Sequence, residues 1–136
     1  MARNSTWHVD SISDRRSQPA PIRPAWIRGG SPVAQARSLF SSDDGQLSVT
    51  IWECSVGEFQ WQFNSDEVIH VLEGEVEVDG KRLSVGSVAF FPAGSTAYWR
   101  VIAPVRKLAI HRSLDVPLWR RAARKAKRAV VSRLAR

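Results

Sequence analysis

The residues able to do chemistry are few, which narrows what the chain can do. There is one cysteine, Cys54, and there are three histidines, His8, His70 and His111, among 136 residues. A lone cysteine excludes an internal disulfide and every multi-cysteine zinc motif. Cys54 follows Trp52 on the same side of an alternating run, and with no histidine predictable beside it, it reads as a small buried apolar residue. The carboxylate that draws the eye is Glu67, in the run GEFQWQFNSDEVIHVLEG over residues 57–74. Trp61 and Phe63 precede it with strand alternation. His70 is an odd number of residues away, so on a regular strand it faces the opposite side. A carboxyl among indole and phenyl rings is disfavoured as a charge unless Arg106 or Lys107 pairs with it. In a cleft, such a group is suited to acid–base work or to gripping a polar ligand.

The elements that must position these groups are strands. From Gln46 onward, β-prone runs alternate with turn residues, predicting strands near 47–54, 58–63, 66–72, 75–78, 81–84, 87–91, 95–102 and 105–111. Asp79-Gly80 predicts a tight hairpin, since both turn positions need positive φ. Residues 1–39, with Pro19, Pro21, Pro24, Pro32 and Gly29-Gly30, read as an arm anchored by Trp7 and Trp26, with Trp26-Ile27 able to add a strand. Residues 40–112 form the barrel. In residues 113–136 the period becomes helical, with Trp119, Ala122, Ala123, Ala126, Val130 and Leu134 on one side, Asp115 placed to cap and Pro117 in the first turn. The net charge of +7 is divided unevenly: +4 over residues 1–39, −4 over 40–112 and +7 over 113–136. The basicity therefore belongs to the ends and says little about a central pocket.

The run from Glu67 to Gly74, and the later GSVAFFPAG of Gly86–Gly94, resemble the two motifs of the cupins. The ordered set Trp52, Trp61, Phe63, Glu67, Phe91 to Gly94, Trp99 and Arg106-Lys107 is similar to small cupins of the ureidoglycine aminohydrolase and ethanolamine-utilisation type. The resemblance covers roughly residues 45–112. It implies an all-β, double-stranded β-helix (jelly-roll) barrel. It also implies a divalent metal held by three histidines and a glutamate, and here the sequence departs. The histidine positions before Glu67 are Gln60 and Gln62 or Trp61 and Phe63, and the one after Pro-X-Gly is Ala97. A single carboxylate holds a metal weakly, so no metal or other cofactor is expected. By analogy with the lost ligands, Ala97 and Trp99 look inward with Trp61, Phe63 and Glu67. The candidate ligand-binding set is Trp52, Cys54, Trp61, Phe63, Glu67, Ala97, Trp99 and Arg106, with Glu67 as the candidate catalytic group.

Three functions follow as expectations. The barrel binds a small polar metabolite without metal, Glu67 receiving a donor group. Alternatively it is an aminohydrolase-like enzyme on a ureide-type substrate with Glu67 as acid or base, or an interaction protein acting through its basic tails. A homodimer is expected, because small open barrels leave a sheet face and edges seeking a partner. Residues 118–136 could meet nucleic acid or an anionic surface non-specifically. No apolar run approaches the roughly 20 residues of a membrane span, and no apolar leader opens the chain, so a cytoplasmic setting is expected.

Overall fold

Two strands longer than the turn residues suggest set the architecture. The computed structural model describes residues 6–113. Its strands are β1 (Gln18–Pro19), β2 (Ile27–Gly30), β3 (Ala34–Ser41), β4 (Leu47–Cys54), β5 (Gly57–Gln62), β6 (Asp66–Val78), β7 (Lys81–Leu83), β8 (Val88–Phe91) and β9 (Thr96–Arg112). A single 3-10 turn, Pro24–Trp26, precedes β2. All the pairings are antiparallel.

β6 and β9 run beside each other from Asp66↔Arg112 to Val78↔Trp99. The far edge of β9 is divided. Its second half pairs with β4, from Cys54↔Val105 to Leu47↔Arg112, and its first half pairs with β5, from Gly57↔Val101 to Gln62↔Thr96. β6 is divided likewise, Glu67–His70 pairing with β8 and Val76–Val78 with β7. The result is two ladders, β1-β3-β4-β9-β6-β8 and β2-β5-β9-β6-β7, continuous through a bend in the two long strands. This strand-rich, curled sheet fits the expected jelly-roll barrel. Between the ladders lies the core, in which Phe59, Ile69, Val71, Val76, Trp99, Val101 and Val105 are the largest fully buried side chains.

The bend explains why four expected strands are two. Residues 66–72 and 75–78 are one strand, as are 95–102 and 105–111. Register shifts between Val71 and Val76 mark the bend in β6. Opposite them, Pro104 has no register partner in β4, β5 or β6. A proline can occupy a strand where no ladder donor is needed. Gly74 is at φ +83°, and a Cβ there would lie 2.0 Å from the carbonyl oxygen of Pro104. A glycine and a proline read as punctuation are thus packed against each other inside continuous strands.

The stretch expected as an arm contributes β1, β2 and most of β3. Its prolines sit at or between strand ends: Pro19 closes β1, Pro24 opens the 3-10 turn, and Pro32 lies between β2 and β3. The expected extra strand at Trp26-Ile27 is β2, paired with β5 of the same chain. Trp26 packs edge-on against Trp61 at 4.9 Å, whereas Trp7 is 80% exposed. The Asp79-Gly80 hairpin forms as expected, with φ of 48° and 80° and Val78 opposite Lys81. The helix expected within residues 113–136 falls almost wholly outside the described residues.

Candidate functional site

Alternation along four strands brings the chemistry to one cavity. β4 contributes Thr50 and Trp52, β5 Phe59 and Trp61, β6 Glu67, and β9 Trp99, Lys107, Ala109 and His111; Phe63 follows β5. Every inward residue of β9 is odd-numbered, so the alternation that starts at Ala97 and Trp99 survives the bend and reaches His111. The cavity holds about 60 Å3. That is room for a few waters or a molecule with a handful of heavy atoms.

Its walls are aromatic. Trp52 meets Phe59, Trp61 and Trp99 edge-on at 6.1, 5.9 and 6.3 Å. Phe59 stacks on Trp99 at 6.0 Å, and Phe63 stacks on Phe91 at 4.5 Å. The polar groups converge on Glu67. Lys107 Nζ donates to Glu67 Oε2 at 3.0 Å, and His111 Nδ1 stands 3.1 Å from Oε1. The side chains of Glu67 and Lys107 are only 6% and 8% exposed. The ammonium also lies over the rings of Trp52, at 4.7 Å, and Trp99, at 4.8 Å. Ring faces carry negative potential and attract a cation, so the two indoles compensate part of the lysine's lost hydration. Burial pushes the His111 imidazole below its ordinary pKa, with Glu67 opposing and Lys107 adding to that shift.

The candidate residues separate into three groups. Trp52, Trp61, Phe63, Glu67 and Trp99 line the cavity. Cys54 and Ala97 are buried in the core beside it but are not part of its lining. Burial pushes the Cys54 thiol up to about 12, which leaves it protonated and a poor nucleophile. Arg106 belongs elsewhere. It is even-numbered on β9, its Nε donates to Glu53 Oε1 at 2.9 Å, and its Nη2 donates to the Asp14 carbonyl at 3.2 Å on the outer side of the sheet. The cation that meets Glu67 is its neighbour Lys107. His111, Thr50 and Phe59, none of them in the candidate set, complete the lining. The signal for His111 is its odd parity with Trp99, which holds only because Thr96–Arg112 is one strand through Pro104. His70 is exposed, on the far side of β6 from Glu67.

Those donors do not suit the divalent ion that the cupin motifs imply. Both Glu67 oxygens face a protein nitrogen, one of them an ammonium that would repel a cation. Among the described residues, no three His, Cys, Asp or Glu side chains are grouped to hold a metal.

A jelly roll of this kind, with its polar groups gathered on the inner face of the bent strands, has the architecture of the cupin superfamily. Residues 41–109, about half the chain, match the EutQ-like cupin domain, and the protein belongs to that family. The chain is similar to the solved EutQ of Salmonella typhimurium, with 28% identity over 59% of this chain and 69% of that one and a TM-score of 0.51. It is also similar to the EutQ protein of Clostridium difficile, with 26% identity, coverage of 63% and 72%, and a TM-score of 0.53. An acetylacetone dioxygenase from Acinetobacter johnsonii, 17% identical, shares the fold over 82% of this chain and 78% of its own, with a TM-score of 0.63. No curated protein matches the chain.

Proposed function

We propose that the barrel is a binding module that holds a small polar metabolite without a metal, in the cavity around Glu67. The observation that carries this reading is the buried Glu67–Lys107 pair, with His111 beside it, at the polar end of a cavity otherwise walled by rings. Taking an ammonium and a carboxylate out of water is costly, and replacing such a pair by apolar residues is often neutral or stabilising. A pair held in a cavity open to small molecules therefore favours recognition over packing. Lys107 supplies the positive charge at the carboxylate that a metal supplies in other cupins. The rings enclose the ligand's apolar part, and the ionic cluster meets its polar end. The cavity's volume limits that ligand to a small molecule.

A panel of small polar metabolites, screened by thermal shift and tryptophan fluorescence, tests the reading. A ligand at a hundred times its Kd stabilises the fold by about 2.7 kcal/mol. A hit that raises Tm in the wild type and loses its effect in both Glu67→Gln and Lys107→Met supports the proposal. Stabilisation by a divalent cation, reversed by a chelator, overturns the metal-free reading. Turnover of the hit that collapses in Glu67→Gln, with binding intact, would make the site an active site.

A further inference from the structure

The outer face of the ladder β3-β4-β9-β6-β8 is apolar, and its two ends complement each other. The register pairs Phe40↔Val49, Val49↔Ile110, Ile110↔Val68 and Val68↔Phe90 set one side chain from each of five strands in a row. None of the five is charged. Phe90 is 55% exposed at one end of the row, and Val68, Ile110 and the flanking Leu47 and Val88 are exposed as well. At the other end His8, in the N-terminal segment, lies against Phe40 with ring centroids 6.5 Å apart. Between His8, Phe40, Leu47 and Val49 an apolar groove of about 280 Å3 remains. One end of the row is thus an exposed ring and the other a recess. Ile110 stands midway with two strands on each side, so ring and recess lie about 10 Å from it in opposite directions.

We infer that this face is the interface of a two-fold dimer, in which Phe90 of each copy enters the groove of the other. In a two-fold contact, residue i meets residue j and j meets i, so one surface must fit itself. A two-fold axis lying in the contact plane along the strands, over Ile110, reverses the row of the second copy. Each ring then faces a recess, and the two Ile110 side chains meet at the centre. The chain itself presents a ring at the distance its recess requires, which selects a second copy as the occupant. Charge does not oppose the contact: residues 6–113 hold eleven Lys and Arg against twelve Asp and Glu. The Asp66–Arg112 ion pair, one register step beyond Val68 and Ile110, borders the apolar centre with a polar rim. An apolar centre inside a polar rim is the usual anatomy of a specific interface.

Sedimentation velocity of the full-length chain over a concentration series tests this. The wild type should pass from monomer to dimer as concentration rises. Phe90→Asp and Val49→Lys should each abolish the dimer while circular dichroism shows the barrel folded. Mixed one to one, the two variants should dimerise again. The new carboxylate then meets the new ammonium in one groove, and the other groove keeps its native Phe90 contact. Each dimer uses Phe90 twice, so Phe90→Ala should raise Kd about tenfold or more; this milder variant decides the matter where a charged one does not fold. A wild type that stays monomeric at every concentration overturns the inference and leaves the face to the rest of the chain or to another protein. A dimer that survives Phe90→Asp or Phe90→Ala overturns it as well, as does a mixture of the two folded charged variants that stays monomeric.

Discussion

Lys107 is the residue on which the site turns. Its four-carbon stem crosses an aromatic cavity, and its ammonium satisfies a carboxylate that would otherwise be buried alone. Removing one member of a buried ion pair strands the other, which costs about 3–5 kcal/mol. Lys107→Met and Glu67→Gln should each destabilise the fold, Lys107→Met by about 3 kcal/mol and Glu67→Gln by less, since the amide oxygen can still accept from the Lys107 ammonium, which the Trp52 and Trp99 rings also face. The double variant should lose clearly less than the sum, and urea unfolding of the four proteins checks this coupling. His111 adds a pH dependence of definite sign. Its pKa in the fold is lowered by burial, so the unfolded chain takes up the proton first as pH falls. The stability it confers is complete above the unfolded value near 6.5 and is lost as pH falls from there towards the lower folded value. Tm should therefore decline between pH 7.5 and 5, and His111→Gln should flatten that decline. The Cys54 thiol, pushed up to about 12 and 2% exposed, should resist a disulfide reagent at pH 8 in the native protein and react once urea unfolds it. At this scale parity was nearly a sufficient guide. It placed Trp52, Trp61, Phe63, Glu67 and Trp99 on inward positions, and it separates Lys107 from Arg106. The candidate set named Arg106 and not Lys107, and the structure reverses that choice, because the alternation from Trp99 continues through Pro104, where a proline normally interrupts it.

The bend is the element-scale device that makes the cavity. β6 and β9 pass from one ladder to the other without a break, carrying inward residues from both sheets into one space. Two glycines serve different ends here. At Gly80 a Cβ would meet nothing within 4 Å, so Gly80→Ala should cost only the left-handed backbone term, about 1–2 kcal/mol. At Gly74 the same change would drive a methyl into the Pro104 carbonyl at the bend. Gly74→Ala should cost about 4 kcal/mol or more, among the largest effects of a single substitution. Urea midpoints for the two variants give the comparison, and equal losses would show that the bend tolerates rearrangement. The Asp79-Gly80 turn was legible because its conformational need is local. The bend was not, because a glycine and a proline facing each other across strands look like two turns when read along the chain.

Along the chain, charge is segregated: residues 40–112 carry −4, between residues 1–39 at +4, which supply strands to the same sheet, and residues 113–136 at +7. The sequence by itself determined that distribution, the strand texture, the hairpin, the loss of the metal's histidines and the identity of the rings that replace them. These are one-dimensional properties, set by which residue occupies which position of a short repeat. Only the tertiary structure decided that Lys107 reaches Glu67 and Arg106 does not, that His111 closes the same cluster, that the supposed arm completes both ladders, and that five apolar side chains line up across an outer face. Those outcomes depend on register between strands far apart in the chain. Register is fixed by burying all the inward residues at once, and no single segment contains that information.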